Sequence, residues 1–240
     1  MIYKYRTVEV GLKILKNQSI RFSSPSEFPD TMDVAPLLID FQFRLNDKIG
    51  DEQKKDLEIL FEKWPALKIR SINNERLISD AYQDMLLKKN KILKICSFST
   101  NGNSNQLWKN YGDSEKGIVL GFEPDLQKKF LIESPEFFFG GLVEYVDEYP
   151  TIKYQESPKE EIYSSWVRTK LKKEFDWEEE YRIGFFKNDL SLLNERNIEV
   201  KFDPTSLLEI RFGKLISNGD KHQILFLLEK KGWSHIKLIG

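Results

Sequence analysis

The sequence reads as an α+β domain with a mixed, mainly antiparallel sheet, and three observations predict that class. Short stretches of period-two alternation recur along the chain, helical stretches fall between them irregularly, and no strand–helix rhythm of a doubly wound sheet emerges. The 240 residues suffice for a sizeable core and still fit one domain over 1–240, with no internal repeat and no low-complexity linker.

The chain opens on Ile2-Tyr3-Lys4-Tyr5-Arg6, an alternating strand. Thr7 is placed to cap a helix carrying Val8, Leu12 and Leu15 at helical spacing, which Asn17 closes. Ser19 to Ser23 alternates again, and the prolines, serines and aspartates of Ser24 to Asp33 make a loop. From Asp51 to Lys91 the pattern turns helical and charged. Leu57, Leu60, Phe61 and Trp64 share a stripe, Pro65 interrupts it, and a second helix covers Asn74 to Lys88. This block reads as a helical insertion over the sheet. Strand signals then dominate at Leu93 to Ser99, Gly117 to Phe122, Gly141 to Tyr145, Tyr181 to Phe186, Ile198 to Phe202, Leu208 to Phe212 and Ile236 to Ile239. Helices intervene at Gln106 to Tyr111, Lys159 to Lys173 and His222 to Lys230. The polar stretch Asp147 to Pro158 is the weakest joint.

Lys and Arg number 37 against 38 Asp and Glu, a net charge of -1, which does not suit a general nucleic-acid binder that must displace counterions from phosphates. No apolar run approaches the ~20 residues that span a bilayer, so no membrane partner is expected. Cys96 is the sole cysteine, no disulfide can close within the chain, and no signal peptide opens it; the expected compartment is cytoplasmic. Two histidines and one cysteine do not make a usual zinc site, and no metal is expected.

Glycine-rich phosphate loops, HExxH and GxSxG are missing from the sequence. Cys96, in a buried strand with no histidine near it, reads as a core residue. Three polar places remain. Arg6 ends the first strand, where a guanidinium can take a phosphate or carboxylate through paired hydrogen bonds; arginines are also commonly surface residues. Ser97 and Ser99 share a strand face opposite Phe98, as the walls of a polar cleft or as an ordinary strand end. In Trp177-Glu178-Glu179-Glu180-Tyr181-Arg182, strand alternation would put Glu178, Glu180 and Arg182 on one face. Two carboxylates ~7 Å apart beside an arginine suit acid–base work or stabilisation of a cation, although an acidic run is also a common solvated face. Asp30 and Asp33, with Glu178 and Glu180, would be the acids of a nuclease-like alternative built around a divalent cation.

Taken together, these segments resemble the bacterial family known as domain of unknown function 2971. The matching pieces are Tyr3 to Arg6, Ile20 to Phe28, Cys96 to Ser99, Leu107 to Gly112, Lys116 to Ile118, Thr169-Lys170, Trp177 to Arg182, and Leu208 to Ile210 with Gly213. They run in order over nearly the whole chain. The sequence departs from the family at Pro29 and Thr31, which flank Asp30, and at Asn110 and Glu115, which stand where the family tends to carry histidines. A more distant resemblance is to the ADP-ribosyltransferase superfamily, through the order of strand arginine, Ser-x-Ser strand and Glu-x-Glu. That resemblance implies an ADP-ribosyltransferase-like fold and NAD as substrate, in a toxin or phage-defence role with an unknown acceptor. By it Arg6 would grip the diphosphate, Ser97 and Ser99 would shape the nicotinamide pocket, and Tyr111 or Phe98 would stack on the nicotinamide ring. Glu180 would stabilise the ribosyl oxocarbenium ion and Glu178 would orient the acceptor, with Lys170 and Arg182 as further candidates. The lost histidines leave a non-catalytic ligand- or protein-binding module as the alternative.

Overall fold

The computed structural model describes residues 1–41, 50–71, 76–131, 137–154, 158–186 and 190–240. The predicted helix start at Asn74 lies outside them.

Strand β1 (Ile2–Arg6) turns Ile2 into the main core and Tyr3 and Tyr5 onto the opposite face, so alternation is used on both sides. The Thr7 hydroxyl accepts from the Val10 N–H at 3.3 Å and caps α1 (Val8–Asn17). Gln18, in the left-handed region at φ 53°, turns the chain into β2 (Ser19–Ser23). A short strand β3 (Ile39–Asp40) precedes the helices α2 (Asp51–Lys63), α3 (Pro65–Ser71) and α4 (Arg76–Ile92). Then come β4 (Lys94–Ser99), α5 (Asn105–Tyr111), β5 (Ile118–Phe122), β6 (Phe137–Leu142), β7 (Glu144–Val146) and β8 (Ile152–Lys153). After α6 (Lys159–Arg168) the chain forms β9 (Thr169–Leu171), the single turn α7 (Lys172–Phe175) and β10 (Glu180–Phe186). It ends with β11 (Asn197–Lys201), β12 (Leu207–Phe212), α8 (Asn218–Lys231) and β13 (Lys237–Ile239).

Among the described residues nine strands join one sheet, in which β12–β13 is parallel and the other pairs are antiparallel. The predicted α+β class with a mixed, mainly antiparallel sheet and a helical block is therefore the architecture observed. Two local expectations are corrected. The helix expected from Lys159 to Lys173 stops at Arg168, because Thr169 to Leu171 pairs in parallel with Glu144 to Val146. The strand expected at Gly141 to Tyr145 is two strands meeting at Val143.

Two apolar cores lie on opposite faces of the sheet. One gathers Phe22, Phe122, Phe202, Ile210 and Trp233. The other packs Ile78, Tyr82 and Leu86 of α4 against Trp166 of α6 and Phe186 of β10. Each such side chain contributes about 1.5–3 kcal/mol by leaving water. Along β10, Ile183 and Phe185 enter the first core, while Glu180 and Arg182 share a face with Phe186. Among the described residues no helix is long and apolar enough to cross a membrane.

Candidate functional site

A cleft of about 670 Å³ opens where the sheet parts. Strand β10 pairs with the whole length of β4, from Glu180 opposite Ser99 to Phe185 opposite Lys94. The other edge of β4 is shared by two strands, each touching it at one point: β1 through Tyr3 opposite Ser99, and β2 through Ser23 opposite Ile95. Between those two bridges, Cys96, Ser97 and Phe98 have no strand neighbour on that edge. The strands diverge, leaving a wedge based on β4, walled by β1 and β2 and reached by Val10, Lys13, Ile14 and Asn17 of α1. The sequence Ser-Phe-Ser thus serves the site by being the part of β4 that the sheet leaves open.

One wall is a ladder of alternating charge. Arg182 (1% exposed) holds both oxygens of Asp33, at 2.7 and 2.6 Å, and donates to Glu180 at 2.8 and 3.2 Å and to the Val167 carbonyl at 3.0 Å. Lys170 bridges Glu180 at 3.1 Å and Glu178 at 2.5 Å. Tyr111 completes the ladder, its hydroxyl donating to Glu178 at 2.7 Å while its ring stacks on Trp177. Burial alone would raise the Glu180 carboxyl, but Arg182 and Lys170 outweigh it and hold the group down at about 2. Burial likewise opposes the charge of Arg182 and Lys170, and their carboxylate neighbours hold both above the usual values. The Tyr145 hydroxyl accepts the Glu180 N–H at 2.8 Å and fixes the start of the strand.

The other wall carries cations without acids. Lys4 (6% exposed) donates to the Ser97 carbonyl and lies 5.0 Å from the Phe98 ring centroid. Arg6, partly buried, donates to its neighbour's carbonyl, Tyr5 O, at 2.9 Å. Among the described residues neither forms an ion pair. Burial lowers Lys4 to about 8, with Arg6 pushing the same way and Cys96 and then Glu180 pulling against it. Burial lowers Arg6 as well. Gly117 holds this end of β1: a Cβ there would sit 2.2 Å from the Arg6 carbonyl oxygen.

Arg6, Ser97, Ser99, Tyr111, Asp30, Asp33, Lys170, Glu178, Glu180 and Arg182 all line this one cleft. They do not approach it from one face. Because Tyr3 stands opposite Ser99, Lys4 and Arg6 project with Phe98, and Glu180 and Ser97 project on the other side. The walls meet through the gap where β1 leaves β4, not across a common surface. Glu178 also differs from expectation. It lies in a 3₁₀ turn before β10, and Glu179 at φ 44° breaks the strand between the two glutamates. The pair is joined by Lys170 rather than by strand alternation. Asp30 accepts from the Met32 N–H at 2.8 Å and the Tyr149 hydroxyl at 2.7 Å, while Asp33 belongs to Arg182. A guanidinium therefore fills the space that a cation shared by Asp33 and Glu180 would need. Asn110 lines the cleft, whereas Glu115 faces Lys214 at 3.4 Å on a neighbouring turn. Lys4 is the site residue that sequence reasoning passed over. Its signal was position, two residues before Arg6 and so on the same strand face.

No protein-family model matches the chain, no curated protein matches it, and no solved structure matches it.

Proposed function

We propose that the cleft binds NAD or a closely related nucleotide and that the protein breaks its nicotinamide–ribose bond, as an ADP-ribosyltransferase or NAD glycohydrolase. The observation carrying this reading is a single cleft with unpaired cations on one wall and anchored carboxylates on the other. A dinucleotide has the matching polarity, with an anionic diphosphate at its middle and a positively charged nicotinamide riboside at one end. Arg6 would take the diphosphate, and Ser97 and Ser99 would line the nicotinamide pocket with Tyr111 stacked on its ring. As the C1′–N bond breaks, its electron pair goes to nicotinamide and positive charge develops on the ribosyl carbon. Glu180, kept ionised by Arg182 and Lys170, stabilises that charge from a fixed position. Glu178 orients the acceptor hydroxyl or water, whose proton passes to solvent water as the new C1′–O bond forms. The resemblance to ADP-ribosyltransferases supports the same roles, and a toxin or phage-defence setting belongs to this proposal.

One observation favours a second reading, a non-catalytic binding module: both Glu180 oxygens already face Arg182 or Lys170, which offsets its charge. Incubation with NAD and assay of free nicotinamide separates the two. The enzyme reading expects release that falls at least about a hundredfold in Glu180→Gln. NAD binding by calorimetry without release selects the binding module, and absence of both rejects NAD as the ligand.

A further inference from the structure

We propose that Lys4 is a second anion ligand in the wedge between β1 and β4, acting with Arg6 on one phosphate-class group, and that its proton makes ligand binding pH-dependent. The inference rests on the reading of this cleft as a nucleotide site, and it deepens that reading by naming the group that senses ligand charge.

Three buried cations differ in what surrounds them. Lys94 is fully buried and without an ion pair, yet the Ser24 hydroxyl at 3.0 Å and the carbonyls of Lys91, Leu93 and Leu192 at 2.8, 3.4 and 3.5 Å surround it. It is absent from the cleft lining, and its acceptors account for it. Arg182 is enclosed by two carboxylates. Lys4 has one carbonyl, Ser97 O, and borders open space. An ammonium has three donors; with Ser97 O and the Cys96 side chain as its partners, one remains for a ligand. Arg6, on the same strand face and the same cleft, uses one of its five donors on a backbone oxygen. The groups facing Lys4 are Arg6 on its own strand, Cys96 and the Ser97 carbonyl on β4, and Glu180 on β10. The guanidinium repels the ammonium and Glu180 is already shared by Arg182 and Lys170, so the local field calls for an anion.

Burial holds the Lys4 ammonium down at about 8, and a bound anion raises that value. The sign follows. Below about 8 Lys4 is charged with or without ligand, and affinity is flat. As pH rises above it, binding must take up a proton, and affinity falls by up to about tenfold per pH unit.

Calorimetry with ADP-ribose tests this, since its diphosphate diester keeps its charge over this range; adenosine serves as the uncharged control. The wild type should bind ADP-ribose at pH 7, weaken above pH 8, and show a binding heat at pH 8.5 that changes with the ionisation heat of the buffer. Lys4→Arg should bind at pH 7 and keep its affinity at pH 9.5. Lys4→Met should lose about tenfold or more at pH 7, together with the pH dependence. Wild-type affinity in Lys4→Met, or a fall with pH that persists in Lys4→Arg, overturns the proposal. If Lys4→Met does not fold, the Lys4→Arg arm still decides. Lys4-dependent binding without nicotinamide release keeps the subsite and removes the glycosidic reading. Release by a protein whose ADP-ribose affinity ignores Lys4 does the reverse.

Discussion

The two walls of the cleft treat charge in opposite ways. On the β10 wall three carboxylates, Asp33, Glu180 and Glu178, alternate with two cations, Arg182 and Lys170. On the β1 wall Lys4 and Arg6 stand buried or partly buried without an acid between them. Taking a charge out of water is costly, and a matched partner recovers the cost. The first wall is thus complete in itself. The second is held in place by the fold at some expense, which the proposed anionic ligand would offset.

The largest effect expected from breaking this contrast comes from Arg182→Met, which leaves Asp33 buried without a cation and Glu180 with Lys170 alone. A loss of about 3–5 kcal/mol is expected in denaturant unfolding. A pH titration sharpens the same point. Glu180 titrates near 4.3 in an unfolded chain and at about 2 here, so its stabilisation is present above pH ~4.3 and disappears as pH falls toward 2. About 3 kcal/mol is at stake, and acid unfolding of Glu180→Gln should lack that portion of the pH dependence.

The opposite sign is expected across the cleft. Lys4→Met removes a buried cation that has no acid and should stabilise the ligand-free protein by about 1–3 kcal/mol at pH 7. Because the folded Lys4 titrates at about 8, below an unfolded lysine, wild-type stability should rise between pH 8 and about 10.4. Thermal unfolding of Lys4→Met should lose that rise. The smallest effect belongs to the exposed pair Arg76–Asp80, separated by 3.9 Å on α4. Arg76→Ala should move stability by no more than about 0.5 kcal/mol.

The contrast was only half legible in the sequence. Alternation gave β1, β2, β4 and β10, and the order of Arg6, Ser97 and Glu180 along the chain pointed to residues that do line one cleft. What alternation could not carry was the parting of strands. Whether β1 follows β4 for one bridge or five depends on β5, β10 and β2 competing for edges, which is tertiary. The left-handed Glu179 likewise looked like strand, since nothing in Glu-Glu-Glu marks the middle residue for a positive φ. Lys170 was flagged from a matched segment alone, and its bridging place between Glu178 and Glu180 needed the break at Arg168. Lys4 was hidden for a simpler reason. Composition counts charges, and only coordinates tell which ones lack partners.

The central claim is that the unmatched cations exist for an anionic nucleotide. Titration calorimetry with NAD, comparing the wild type with Lys4→Met/Arg6→Met, addresses it most directly. Saturable binding by the wild type, weakened about a hundredfold or more in a double variant that unfolds at a higher temperature, is the predicted result. Equal affinity in the two proteins, or a double variant that is less stable and binds as before, would contradict it.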